Sequence, residues 1–151
     1  MSFGYPTLDE EWEVVSRRIG RGREEQTVAQ VLDAAGLLEV QEAVEQVHVA
    51  ESVGRYAVAL AAATRQHPSA LVGASPRGSL ALVTAARAIA LVQGRDFVVP
   101  EDVKALARPA LVHRIVVRPE LWLENVHPAG IVEAVLGQVP VPDAADLEPH
   151  R

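Results

Sequence analysis

The sequence predicts a mainly α protein, a helical bundle with at most a minimal two-stranded β element. Apolar residues recur at helical spacing in five or six separate segments. Ala, Leu, Val, Glu and Arg dominate the composition, and aromatic residues are only 4%. So few aromatics make a large β-sandwich a poor solution. Short β-branched runs occur at Phe97-Val98-Val99 and at Ile115-Val116-Val117, and these two could pair as a small sheet.

Taken in order, the first helix is predicted over residues 9–19, with Trp12, Val15 and Ile19 on one face. The basic run Arg17-Arg18-Ile19-Gly20-Arg21-Gly22-Arg23 follows. Its two glycines are expected to end the helix, leaving a solvated connector or, alternatively, an anion-binding segment. Leu37, Val40, Val44 and Val47 mark a second helix. Val53, Tyr56, Ala57, Leu60, Ala63 and Thr64 mark a third, which should stop before His67-Pro68 because the residue before proline disfavours helix. Residues 76–93 carry Leu80, Leu82, Val83, Ile89, Leu91 and Val92 with few polar breaks, so this helix is expected to be central and buried all round. Gly94 is its natural stop. Pro100 opens a helix with Val103, Leu106, Ala107 and Leu111 inward, which Pro109 should kink or restart. A last helix after Pro128 presents Ile131, Val132, Val135, Leu136 and Val139 on one face. The Pro- and Asp-rich tail at 140–151 is predicted to be disordered.

A chain of 151 residues fits one domain, or a domain with a tail. Its net charge of −6 argues against a nucleic-acid partner, because phosphate backbones need a basic surface. With no cysteine there is neither a disulfide nor a thiolate metal site. No apolar run approaches a membrane span, and the N-terminus lacks the pattern of a secretory signal. A cytoplasmic protein without a membrane partner is the expectation. The histidines (His48, His67, His113, His127 and His150) show no helical ligand spacing, so no metal site is expected. His113-Arg114 ends a helix, where cations satisfy the last carbonyls. Neither a phosphate-cradling loop ending in Gly-Lys-Ser/Thr nor a nucleophile elbow is present.

One word stands out, Gly73-Ala74-Ser75-Pro76-Arg77. Ser75 suits a helix N-cap, where its hydroxyl can accept a free N–H. Pro76 suits the first helical position. Arg77 then places positive charge beside the positive end of the helix dipole, unfavourable by about 0.3–1 kcal/mol. Other helices of this chain do the opposite and open with Asp9-Glu10-Glu11, Glu51 and Glu101-Asp102. Arg77 therefore pairs with one of the 20 carboxylates, points into water, or meets an anion such as phosphate.

The same word, followed by Ala85-Ala86-Arg87-Ala88 and the run Gly94-Arg95-Asp96-Phe97-Val98-Val99-Pro100-Glu101-Asp102-Val103-Lys104, closely resembles the C-terminal lid of MoxR-type AAA+ ATPases. Ala63-Thr64-Arg65-Gln66-His67-Pro68, Leu111-Val112-His113-Arg114-Ile115 and the opening Gly4-Tyr5-Pro6 extend the likeness over residues 3–142. The resemblance implies a helical lid at 9–139, preceded at 1–8 by a hinge and the end of an ATPase core that would carry the Walker motifs. It implies that the chain is a lid excised from a longer ATPase and cannot hydrolyse ATP alone. Arg77 would be the sensor-2 arginine, with Gly73, Ser75 and Pro76 beside it at the nucleotide. ATP with magnesium would bind only together with the core. The implied partners are that core, neighbouring subunits of a ring and a von Willebrand A-domain protein, in a chaperone-like assembly or activation machine. The family usually has Ala where this chain has Gly78. The alternative reading is a stand-alone helical interaction domain that binds no nucleotide.

Overall fold

The structure is a computed structural model that describes residues 4–21 and 28–143. They fall into two compact units, divided between Gly36 and Leu37.

In the first unit, helix α1 spans Leu8–Arg21. It opens with a reciprocal cap. The Glu10 carboxylate accepts the Thr7 N–H at 2.7 Å and the Thr7 hydroxyl at 2.9 Å, while the Glu10 N–H reaches the Thr7 hydroxyl at 3.4 Å. Trp12, Val15 and Ile19 share the predicted face and are exposed. Gly20 does not end this helix, which continues to Arg21. One glycine costs only about 1 kcal/mol relative to alanine, too little to stop a capped helix. Arg17 is not a free cation, since it pairs with Glu13 one turn back. Gly22 and Arg23, the end of the basic run, lie outside the described residues.

Helix α2 (Ala34–Gln46) starts at the end of the first unit, where the Asp33 carboxylate accepts the Gly36 N–H at 2.8 Å. The second unit is built on α3 (Glu51–Gln66), α4 (Pro76–Val92), α5 (Pro100–Leu111) and α6 (Pro128–Gln138). Leu60, Leu82, Val103, Leu111, Ile131, Val132 and Val135 fill its core. The apolar stripe of α3 is buried as its spacing predicts, with Ala61 added and Ala63 only half-buried.

Helix α4 departs from expectation. Its buried residues are Gly78, Leu82, Ala86 and Ala90, a single stripe at intervals of four, while Leu80 and Val92 are exposed. The helix is central because small residues let α3 and α5 come close, not because it is apolar all round. Gly94 takes a φ of +74° and stops it, with the Arg95 N–H reaching back to the Ala90 carbonyl at 2.9 Å. Asp102 locks the next connection. Its buried carboxylate accepts two bonds from Arg95, at 2.7 and 2.9 Å, and the Val99 N–H at 2.9 Å. Helix α5 runs through Pro109 to Leu111 rather than restarting there, and the proline leaves the Ala105 carbonyl one turn back without its usual backbone N–H.

The small sheet forms from a different strand than expected. Strand β1 (Ala70–Val72) pairs antiparallel with β2 (Val116–Val117). Phe97 instead makes an isolated parallel bridge with His48, whose N–H and carbonyl bond the Asp96 carbonyl and the Val98 N–H at 2.8 and 3.0 Å. That bridge satisfies the backbone groups that a pairing with residues 115–117 would have used. Residues 140–143 follow α6 without regular structure, and 144–151, the rest of the tail, lie outside the described residues.

The cap on α1 carries a pH dependence. The Thr7 backbone N–H, then the Thr7 hydroxyl, hold the Glu10 carboxyl below its ordinary value of 4.5. A lowered pKa in the folded state means the cap contributes stability above that ordinary value and loses it as pH falls through the lowered one. Titration of Glu10 by NMR is therefore expected to show a midpoint below 4.5. Thr7→Val keeps the backbone N–H and removes the hydroxyl, so the midpoint should rise only part of the way back, and an unchanged midpoint in that variant would remove the hydroxyl as a cause.

Candidate functional site

The first turn of α4 is the candidate site, and α3 and the end of α5 surround it. Ser75 is the N-cap, with extended backbone, and Pro76 is the first helical residue. The Ser75 hydroxyl makes no capping hydrogen bond, contrary to expectation. The donor it would take is already used, because the Gly78 N–H bonds the Ser75 carbonyl at 2.7 Å. Arg77 is exposed, and among the described residues it has neither an ion pair nor a hydrogen bond. Of the possibilities left open by the sequence, pairing with a described carboxylate is thus removed.

Upstream of this turn, one peptide is held from both sides. The buried Thr64 hydroxyl donates to the Ala61 carbonyl at 2.7 Å and accepts the Ala74 N–H at 2.9 Å. Arg65 Nη1 donates to the Ala74 carbonyl at 2.6 Å. Gly73 makes this approach feasible. A Cβ there would lie 2.5 Å from the Arg65 N and Cα and 2.6 Å from the Thr64 carbonyl carbon. These are backbone atoms that cannot rotate away. Gly73 therefore acts by letting the loop lie against α3.

Downstream, Gly78 faces inward. A Cβ at this position would meet the Ala74 Cβ at 3.1 Å, Leu111 Cδ2 at 3.2 Å and Arg114 Cδ at 3.7 Å. Arg114 ends the 3-10 turn Val112–Arg114 after α5, and its Nε donates to the Ala110 carbonyl at 2.9 Å. This is the C-terminal role expected for it. The same side chain passes beside the first turn of α4.

The structure thus brings Gly73, Ser75, Pro76 and Arg77 together in one turn, as their adjacency in sequence requires. Sequence reasoning missed Thr64 and Arg65 as the clamp and Arg114 as the neighbour. Thr64 was visible only as a polar residue on an apolar stripe. Arg65 stood out only as part of the family-like word Ala63-Thr64-Arg65-Gln66-His67-Pro68. Among the described residues no three His, Asp or Glu side chains gather as a metal site, and His150 lies outside them. No helix among them is long and apolar enough to cross a membrane.

Residues 62–135, from the end of α3 into α6, match the family model described as the AAA lid domain. The chain carries an AAA lid domain of the MoxR type. It is 37% identical over 142 residues to the Bacillus subtilis protein YeaC, covering 94% of this chain and 44% of that one. It is 34% identical over 152 residues to Chaperone MoxR1 of Mycobacterium tuberculosis, covering 94% and 39%. A crystal structure from Cytophaga hutchinsonii, of a protein provisionally named an ATPase, superposes with a TM-score of 0.82 at 29% identity, over 93% of this chain and 45% of that one. The lid chain spans less than half the length of these relatives.

Two substitutions separate packing from capping at the lid's candidate site. Gly73→Ala should cost about 2–3 kcal/mol, because the new Cβ collides with α3 backbone. Ser75→Ala should cost close to nothing rather than the ~1 kcal/mol of a working N-cap. Urea denaturation of both variants measures the difference, and a costly Ser75→Ala would mean that the hydroxyl does cap the helix.

Proposed function

We propose that this lid belongs to an ATP-hydrolysing AAA+ machine and that Arg77 is its sensor-2 arginine. The observation that carries this reading is the guanidinium of Arg77 on the first turn of α4, which no described residue neutralises. The Ser75 hydroxyl beside it makes no capping hydrogen bond. A helix N-terminus and an unpaired arginine together suit the phosphates of a nucleotide. Thr64 and Arg65 hold the turn rigid, so the guanidinium would be aimed before the nucleotide arrives. Preorganised charge of that kind stabilises the charge that develops on a transferring phosphoryl group.

The residues fit the phosphates and offer little to the metal. Arg77 would contact a phosphate oxygen, and Ser75, whose hydroxyl makes no capping bond, stands beside it. Magnesium would be held by the triphosphate and by groups beyond the described residues, and its chemistry there is to neutralise phosphate charge. Gly73 and Pro76 shape the turn. The core that completes the ATP site, neighbouring subunits of a ring, and a von Willebrand A-domain protein as partner belong to this same reading. So does a chaperone-like role, which is supported by the name of the mycobacterial relative. Residues 4–6 would be the hinge, and loss of the phosphate held by Arg77 would release the lid to turn about it.

In the ATPase formed by this lid with its core, Arg77→Ala should lower turnover by about 10²-fold or more. As an exposed and unpaired residue, it should leave the stability of the lid within about 0.5 kcal/mol. Unchanged turnover would sink the sensor assignment. Lost turnover with an unfolded lid would reassign Arg77 to stability.

A further inference from the structure

We infer that the groove between α2 and α4 is a docking site for a basic amphipathic helix of a protein partner. The groove has a volume of 450 Å³ and is lined by Leu38, Gln41, Glu42, Val44, Glu45 and Thr84. Two features of α2 require an explanation, and one kind of occupant supplies both.

The first is burial. Helix α2 has no fully buried residue, and Leu38, which lines the groove, is 59% exposed. A 13-residue helix that covers so little of its apolar surface is marginal without tertiary support. An apolar stripe laid into the groove would cover Leu38 and Val44 and fix the helix against α4.

The second is charge. The sequence of α2 carries Glu39, Glu42 and Glu45 and no basic residue. Glu45 lies in the last turn and Glu42 just before it, towards the negative end of the dipole. Half-buried Arg87 of α4 reaches Glu45 through Nη1 at 2.7 Å, while its buried Nε finds no acceptor. Glu42 has no partner among the described residues. The groove therefore has an apolar floor, a carboxylate left over and a helix end that favours cations. Lysine or arginine flanking a leucine stripe is complementary to all three.

The probe is a synthetic helix with leucines at i, i+3, i+4 and i+7 and lysines elsewhere. A matched control replaces every lysine with glutamate. NMR of the chain at low salt is expected to show the lysine probe shifting the amides of residues 38–45 and Thr84, with no binding by the glutamate probe. Glu42→Gln should weaken binding about threefold. Leu38→Ser, at an exposed position that should still fold, should weaken it about tenfold. Glu120→Gln, an exposed acid outside the groove, should change nothing. Equal binding of both probes overturns the inference. So does an equal loss in Glu120→Gln and Glu42→Gln, which would reduce the effect to net charge. Self-association through Leu38 that the lysine probe fails to displace would assign the groove to a second copy instead.

Discussion

The Ala74 peptide is the constraint on which the candidate site depends. Thr64 takes its N–H and Arg65 its carbonyl, so the end of α3 grips the chain just before α4 begins. Both bonds are made in a place where Ala74 is fully buried, and an unmade bond there would cost about 1–3 kcal/mol. The grip sets the entry of α4, and with it the direction of Arg77. It also needs a residue without a side chain next door, which is why Gly73 lies against the α3 backbone. Thr64 answers to both sides at once, because its hydroxyl donates to its own helix and accepts from the loop. Valine has the same shape and could do neither.

Close packing of small side chains carries the constraint into the rest of the bundle. The buried face of α4 is Gly78, Leu82, Ala86 and Ala90, and it meets Ala57 and Ala61 on α3 and Ala107 on α5 as parts of one core. Backbones that approach through alanine and glycine leave little room for relaxation, so the first turn of α4 is held by its neighbours on two sides. Gly78 shows how tight this is. The alanine usual in the resembling family would press its Cβ to 3.1–3.2 Å from Ala74 and Leu111 here. The departure from the family pattern is therefore accommodated by local packing, and it leaves the stem of Arg114 beside the same turn.

Much of this was legible in the sequence, for identifiable reasons. The stripe on α3, the stop at Gly94 and the start at Pro100 follow from side-chain period and backbone restriction, both local properties. The wrong-signed charge at Arg77 was readable because the chain's other helices obey the dipole rule. The strand pairing was not legible. Residues 70–72 pair because the end of α3 delivers them beside 116–117, and nothing in their own sequence announces it. The clamp was hidden for the same reason, since Thr64 and Ala74 meet only when a helix and a loop turn back on each other. The solvent face of α4 was misjudged because leucine and valine were read as buried without asking which side they occupy.

Charge at helix ends then links the two surfaces that the core leaves open. Helices α1, α3 and α5 place acids in their first turns, where the dipole favours them. Helix α4 places Arg77 there instead, and α2 places Glu45 at its opposite end. Each departure opposes folding by a few tenths of a kcal/mol. Glu45 is partly compensated by Arg87, while Arg77 is not compensated by any described group. A cost kept at an exposed position is most simply explained by something that neutralises it from outside. The two departures have opposite signs, so one surface suits an anion and the other a cation. In a chain of net charge −6 the basic turn of α4 is a local exception, and the acids that open α3 and α5 are engaged elsewhere, Glu51 with Arg55, Glu101 with Lys104 and Asp102 with Arg95.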